Sequence, residues 1–232
     1  MNEIRKWWIV AAAILCLSPC ALATEASMEL VSPGTDSDFG AFVGPFTVTV
    51  NGTTMKAVCD DFTEDVYPGE TWTADVNTFS SLSATRFGNQ PAEYDEAAWL
   101  TLQLLSSPNA PESGAIQYAL WAVFDNSGVK AYLASNGGTS FYNDSSDVDG
   151  VTYWLNTAGS QTYTAGEFSS FNIYTPNTSD PMSCSTTPGE KCPPQEVLVP
   201  TPEPASLLML ATGVGLLGLL LELRRLRTQA AV

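Results

Sequence analysis

The stretch PFTVTVNGTTMKAVCDDF, Pro45–Phe62, contains the strongest structural signal in this chain. Asn51-Gly52 near its middle is a dipeptide typical of two-residue hairpin turns, because both residues tolerate positive φ angles. We therefore expect two antiparallel strands around this turn. The register of the hairpin decides where Cys59 points, since a slip by one residue would turn the thiol to the other face of the sheet.

Further strand signals lie near the far end of the domain. FSSFNIYTP (168–176) and QEVLV (195–199) alternate or cluster apolar residues as strands do. The middle of the chain has helical composition instead, in YDEAAWLTLQLL (94–105) and in AIQYALWAVFD within 113–125. The pattern predicts a mainly β domain of sandwich or barrel type over 24–199, interrupted by a two-helix insertion.

The second predicted helix carries two adjoining apolar stripes. Gln117, Trp121 and Phe124 recur at helical spacing on one stripe, and Ile116 begins the neighbouring one. A helix that is apolar on two faces is largely buried. Gln117 therefore brings a carboxamide into the core, where it must find hydrogen-bond partners or destabilise the fold.

The composition excludes several classes of function. The 232 residues include no histidine, so no Ser-His-Asp triad, Cys-His pair or histidine zinc site can form. Between residues 24 and 200 there are 22 acidic and four basic side chains, and so negative a body repels nucleic acid and anionic membranes. We expect a protein that is not an enzyme, binds no nucleic acid and uses neither a metal ion nor a cofactor.

Both ends of the chain are typical of targeting segments. Arg5 and Lys6 precede an apolar run and a small-residue cleavage site, which predicts a secretory signal peptide over 1–23. The tail, 200–232, contains a predicted transmembrane helix over 205–223. Its first 17 residues are uncharged and would span about 26 Å, close to the roughly 30 Å of a bilayer core.

A basic end over 224–227 follows this helix, with Arg224, Arg225 and Arg227. Positive residues favour the cytoplasmic side of a membrane. The C-terminus is therefore expected in the cytoplasm and the domain on the outer side of the membrane.

The triplet Pro202-Glu203-Pro204, the apolar helix and the arginines together resemble the PEP-CTERM sorting signal of Gram-negative bacteria that make exopolysaccharide. The resemblance implies that exosortase, a membrane protease, recognises the triplet and cleaves near it. The protein would be exported across the inner membrane, held there transiently by its helix, and then released to the envelope surface or the extracellular space. The alternative is a permanent anchor behind a proline-rich linker.

The cysteines divide into two groups after removal of the signal peptide. Cys184 and Cys192 flank a Pro-Gly turn and are predicted to close a small disulfide loop. Cys59 is then unpaired in an oxidising compartment, which calls for an explanation. A cysteine thiol and the carboxamide of Gln117 can react with loss of ammonia to form an internal thioester, a latent acyl donor that needs no histidine, metal or cofactor.

The residues around this pair resemble the thioester domains of bacterial surface adhesins. Those domains carry a cysteine on a strand and a Gln-x-x-aliphatic-Trp motif on a helix, which Gln117, Leu120 and Trp121 match in IQYALWAVF. AVCDDF is similar to the cysteine motif, with Asp60 where an apolar residue is common. Without a thioester, Cys59 is a small buried hydrophobic residue or a disulfide partner, and Gln117 is a core amide bonded to backbone.

These features predict a secreted, surface-sorted structural or adhesive protein of the envelope or biofilm matrix. Its partners would be exosortase and, through the thioester, amine or hydroxyl groups of the extracellular matrix or of another surface. The alternative is a secreted hydrolase acting on extracellular polysaccharide, because CDDFTED (59–65) gathers acidic side chains of the kind used in glycoside hydrolysis. The acidic stretch SSDVDG (145–150) is interpreted as a turn.

Overall fold

The computed structural model describes residues 25–107, 110–177 and 194–201. The predicted signal peptide, the predicted disulfide of Cys184 with Cys192, and the sorting tail lie outside these residues. No helix in the described ranges is long and apolar enough to cross a membrane.

Six antiparallel strands form a closed barrel, so the prediction of a mainly β fold is confirmed in its barrel form. Around the barrel the order is β1, β4, β5, β8, β7, β6, and β6 pairs with β1 to close it. The barrel strands are β1 (Glu25–Ser32), β4 (Phe46–Val50), β5 (Thr53–Cys59), β6 (Thr71–Thr78), β7 (Phe171–Pro176) and β8 (Val197–Pro200). A separate small hairpin consists of β2 (Ser37–Asp38) and β3 (Ala41–Phe42).

The predicted hairpin joins β4 to β5 through Asn51 and Gly52. Their φ angles are 49° and 79°, the left-handed values that such a turn requires. Along β4 the buried residues alternate, from Phe46 through to Val50, and the register pairs Phe46 with Ala57. This alternation is the physical basis of the register, because one face of β4 lines the core.

Cys59 occupies the last position of β5, where the strand changes partner. The pairing with β4 ends at Ala57, and Val58 and Cys59 pair instead with Leu198 and Val197 of β8. Ala57, Val58 and Cys59 are all fully buried. This end of β5 is therefore covered on both of its faces.

The helices lie between β6 and β7 in the chain, and there are four of them in the described residues rather than the predicted two. They are α1 (Pro91–Ser106), α2 (Ala110–Ser135), α3 (Thr139–Asn143) and α4 (Val151–Gly159). α1 and α2 correspond to the helices predicted near 94–105 and 113–125. The predicted two-helix insertion is smaller than the observed one, because α2 continues to residue 135 and two short helices follow it.

A kink at Asp125 explains the underestimated length of α2. The backbone there has φ −134° and ψ 69°, so two helices meet at this residue. The Asp125 carboxylate accepts a hydrogen bond from the Gly128 backbone N–H at 2.9 Å and so caps the second helix. A Cβ at residue 128 would lie 2.0 Å from Asp125 Oδ2, so a larger residue there would displace the capping carboxylate.

The first half of α2 is the most buried helix segment in the fold. Every residue from 113 to 122 is buried, including Gln117, which is fully inaccessible to solvent. The prediction that this helix is largely buried is therefore confirmed. Its packing against the end of β5 positions the site described next.

Candidate functional site

The structure brings Gln117 of α2 against Cys59 at the end of β5. The Gln117 side-chain Nε2 donates a hydrogen bond of 2.7 Å to the backbone oxygen of Cys59. The Cys59 thiol itself donates to the backbone oxygen of Asp61 at 3.1 Å. Two residues 58 positions apart in the sequence thus share one buried cluster, as both the thioester hypothesis and the core-amide alternative require.

Two polar groups of this cluster lack hydrogen-bond partners in the described part of the chain. They are Gln117 Oε1 and the indole Nε1 of Trp121, one helical turn further along α2. A buried polar atom left unpaired costs about 1–3 kcal/mol. The polar atoms of this cluster therefore have fewer hydrogen-bond partners than those of an ordinary core amide.

The pKa of the Cys59 thiol is raised well above its usual value. Burial is the largest cause, and the neighbouring carboxyl groups of Asp60 and Asp61 act in the same direction. Trp121 and the Asp61 backbone act weakly in the opposite direction, although the indole N–H makes no hydrogen bond of ordinary geometry. The thiol is consequently protonated, and only a thiolate is strongly nucleophilic.

An aromatic layer separates the thiol from solvent. The ring centroid of Trp121 lies 5.3 Å from that of Phe62 and 5.2 Å from that of Tyr118. Phe62 in turn contacts Tyr132 edge-on at 5.4 Å. Trp121, the third residue of the predicted site, therefore covers the Cys59 cluster as a wall of packed rings.

On the other side of this wall lies a cavity of about 550 Å³. Its lining includes Phe62, Trp121, Tyr132, Gln195 and Phe42, a residue that is 51% exposed. Gln195 Nε2 donates to the backbone oxygen of Asp61 at 3.1 Å, the same atom that accepts from the thiol. Gln195 of the cavity lining and the Cys59 thiol thus donate to the same carbonyl oxygen.

A second buried cluster adjoins the first through Asp60. Asp60 and Glu196 are both fully buried, and the backbone N–H of Asp60 donates to the backbone oxygen of Glu196 at 3.4 Å. Glu196 Oε1 accepts from the Tyr94 hydroxyl at 2.6 Å. Glu196 Oε2 accepts from the Arg86 backbone N–H at 2.8 Å and from the Thr175 hydroxyl.

Sequence reasoning missed both Gln195 and Glu196. The signal that could have found them was the sequence QEVLV, in which two polar residues directly precede an apolar strand. A charged residue at the start of a fully buried strand is itself buried when that strand closes a sheet. The hydrophobic pattern alone did not distinguish this case from a strand that begins at the surface.

The acidic stretch CDDFTED does not form a pair of carboxylates facing across a groove. Arg86 binds two of its members, with Nε 3.0 Å from Asp61 Oδ2 and Nη2 2.5 Å from Glu64 Oε1. Asp60 faces the protein interior, and Asp65 is the acidic residue among those lining the cavity. This arrangement offers no observation in favour of the hydrolase alternative.

The remaining predicted sites are simple to place. The stretch 145–150 forms a turn in which the Gly150 N–H donates to the backbone oxygen of Asp147 at 3.0 Å. Within the described ranges, no group of three or more acidic or cysteine side chains is arranged to hold a metal ion. Pro202, Glu203, Pro204 and the arginines of the tail lie outside the described residues, as do Cys184 and Cys192.

Comparison with known proteins finds no match to a protein-family model, to a curated protein or to a solved structure.

Proposed function

We propose that this protein is a secreted, surface-sorted adhesive protein whose barrel domain carries an internal thioester between Cys59 and Gln117. The observation that supports it most directly is the 2.7 Å hydrogen bond from the Gln117 carboxamide to the backbone of Cys59. The unpaired Gln117 Oε1 and Trp121 Nε1 are a second support. A stable core amide is normally satisfied on both of its polar atoms.

The bond-forming step balances without any co-reactant. The Cys59 sulfur attacks the side-chain carbonyl carbon of Gln117, the C–N bond breaks, and the nitrogen leaves as ammonia with the proton of the thiol. For this step the thiol gives up its hydrogen bond to Asp61 and the carboxamide gives up its bond to the Cys59 oxygen. Because the thiol is protonated in the folded site, its proton must leave with the amide nitrogen.

The cavity is the route by which a partner reaches this acyl group. An amine or hydroxyl that enters this cavity meets Trp121 and Gln195 on its lining, and Gln195 donates to the same Asp61 carbonyl as the thiol. Attack on the Gln117 carbonyl carbon forms an amide or ester, breaks the C–S bond and returns a proton to the Cys59 sulfur. Trp121 and its neighbouring rings exclude water, which would otherwise hydrolyse the thioester.

Intact mass and methylamine treatment test this function. In a chain carrying Cys184→Ser and Cys192→Ser, the mature protein should be lighter than its sequence by about 17 Da, the mass of ammonia lost as the acyl bond forms. Methylamine should then add to Gln117 and release one alkylatable thiol at Cys59. Gln117→Ala should abolish both effects, whereas Gln103→Ala on α1 should leave them unchanged. A full sequence mass and no methylamine adduct would contradict the proposal.

The proposed sorting has its own test. The Pro202-Glu203-Pro204 triplet is the proposed recognition site for exosortase, with the membrane helix over 205–223 and the arginines holding the chain until it is cut. Replacing the triplet with alanines should leave a full-length species in the membrane fraction. Release of the altered protein at an unchanged rate, measured by immunoblotting of the medium, would contradict exosortase processing.

A further inference from the structure

Asp60 and Glu196 occupy adjoining positions beyond the last pair of the β5–β8 ladder. Cys59 pairs with Val197, and the next residue on each chain is Asp60 or Glu196, joined by the 3.4 Å backbone hydrogen bond. Both side chains are fully buried. The two carboxyl groups therefore meet in the interior, directly beside the Cys59 position.

The hydrogen-bond donors around this pair bind Glu196 and not Asp60. Glu196 accepts from Tyr94 of α1, from Thr175 of β7 and from the Arg86 backbone, whereas neither oxygen of Asp60 receives a hydrogen bond from any donor in the described residues. The Arg86 guanidinium does not neutralise the pair, because it is engaged by Asp61 and Glu64.

Two ionised carboxylates without donors or cations between them are strongly unfavourable in a protein interior. A single proton removes this conflict, because a protonated Asp60 can donate to Glu196 while Glu196 keeps its three other donors. The unpaired oxygens of Asp60 and the full set of donors on Glu196 together indicate which residue carries the proton.

We propose that Asp60 and Glu196 hold one shared proton, and that this proton fastens the end of β5 to β8, so that its loss at higher pH loosens the strand end that carries Cys59. Asp60 and Glu196 are thus positioning residues for the Cys59–Gln117 site. The effect on acyl reactivity rests on the proposed function, but the effect on the strand does not.

The pKa shifts of the two carboxyl groups and of the groups around them agree with this geometry. The pKa of Asp60 is raised well above its ordinary 3.8, by burial first and then by the charges of Glu196 and Asp61. The pKa of Glu196 is raised by burial, against which its hydrogen bonds act. Tyr94 and the Cys59 thiol, which also face the pair, remain neutral because their pKa values are raised as well.

The sign of the pH dependence follows from these shifts. An acid whose pKa is higher in the folded state binds its proton more tightly there than in the unfolded chain. The stabilisation of the folded state relative to the unfolded chain is therefore fully present below the ordinary pKa. It is lost as the pH rises through the folded-state pKa. Above that pH, the buried pair carries two negative charges and the β5–β8 junction is weakened.

Hydrogen exchange of the strand amides measures this junction directly. We would follow peptides covering 55–61 and 196–200 by mass spectrometry from pH 5 to pH 8, corrected for intrinsic exchange. Protection should fall at least about tenfold across this range, since one pKa unit corresponds to a factor of ten. In Asp60→Asn the amide donates to Glu196 without a titrating proton, so protection should change by less than about twofold.

Matched variants make the outcome decisive. Glu196→Gln, whose amide can donate to an ionised Asp60, should move the fall in protection to lower pH, and it serves as the test if Asp60→Asn does not fold. Asp147→Asn, on an exposed turn, should keep the wild-type profile. Equal pH dependence in wild type and in the folded Asp60 or Glu196 variants, or a flat wild-type profile, would overturn the proposal.

The same series separates this inference from the proposed function. Hydrogen exchange measured in Gln117→Ala, which forms no thioester, should retain the wild-type pH dependence. A missing methylamine adduct with this dependence intact would overturn the thioester and leave the shared proton standing. A methylamine adduct, with the same pH dependence of hydrogen exchange in wild type and Asp60→Asn, would overturn the shared proton and leave the thioester standing.

Discussion

Trp121 shows how one side chain serves both the core and the cavity. Its ring packs on Phe62 and Tyr118 and lines the cavity wall, while its N–H is buried without a hydrogen-bond partner in the described residues. The ring therefore contributes most of its stabilisation through packing. Its indole N–H opposes folding because it is buried without a partner in these residues, and this group remains available to the Cys59 cluster.

Trp121→Ala should consequently connect the cavity to the thiol. We expect a loss of about 3–5 kcal/mol in the free energy of unfolding, typical of removing a buried Trp side chain. Trp121→Phe should cost clearly less, because no hydrogen bond of ordinary geometry is lost. In a Gln117→Ala background, alkylation of Cys59 should accelerate in the Trp121→Ala variant and not in Trp99→Ala on α1. Equal alkylation rates in these two variants would show that Trp121 is not the barrier.

Among the elements, the β4–β5 hairpin has the largest influence on the site. Its turn fixes the register that pairs Phe46 with Ala57, and the next two residues of β5, Val58 and Cys59, pair with β8 instead of β4. A change in the turn is therefore transmitted along β5 to the thiol. The helices respond differently, because the kink at Asp125 separates the buried half of α2 from its more exposed continuation.

Gly52→Ala tests the contribution of the turn. Residue 52 has φ of +79° and no atom near an added Cβ, so the substitution introduces backbone strain and no clash. We expect a loss of about 1–2 kcal/mol in chemical denaturation, the cost of holding an L-residue in the left-handed region. Gly159→Ala is the matched control, since its Cβ would have no neighbour closer than 3.9 Å in a helix. A cost for Gly159→Ala as large as that for Gly52→Ala would contradict this assignment.

In the molecule as a whole, β8 is the last strand of the barrel in chain order. It follows the helices in the chain yet lies between β5 and β7, and Glu196 directly before it contacts α1 through Tyr94. At its far end, the Thr201 backbone N–H and hydroxyl both donate to the Ser170 backbone oxygen at 2.7 Å. The barrel is thus complete at residue 201, immediately before the proposed sorting triplet.

This completeness predicts how truncation affects stability. A chain that ends at Thr201 should fold and unfold cooperatively, whereas one that ends at Pro194 lacks β8 and Glu196 and should not fold. Leu198→Ala in the longer chain should cost about 2–5 kcal/mol, because Leu198 is a fully buried core residue. Circular dichroism melts of the three chains decide the matter. Cooperative unfolding of the chain that ends at Pro194 would show that β8 is dispensable.

The sequence was sufficient for features that depend on local chemistry. Asn51-Gly52 predicted the hairpin, because few dipeptides accept two positive φ angles. The stripes on either side of Gln117 predicted a buried helix, because helical periodicity places those residues on adjoining faces. The continuation of α2 beyond Asp125 was not predictable in this way, since it depends on a side-chain cap that restarts the helix after a kink.

The partners of the site depend on pairings between distant parts of the chain. Gln117 reaches the backbone of Cys59 across 58 residues, and Glu196 meets Asp60 only because β8 inserts between β5 and β7. Nothing local to residues 195–199 indicates this neighbour, because barrel order is set by which edges remain open after the other strands have paired. The resemblance to thioester domains predicted which thiol and amide to compare. The buried carboxyl pair, by contrast, became visible only once the barrel was closed.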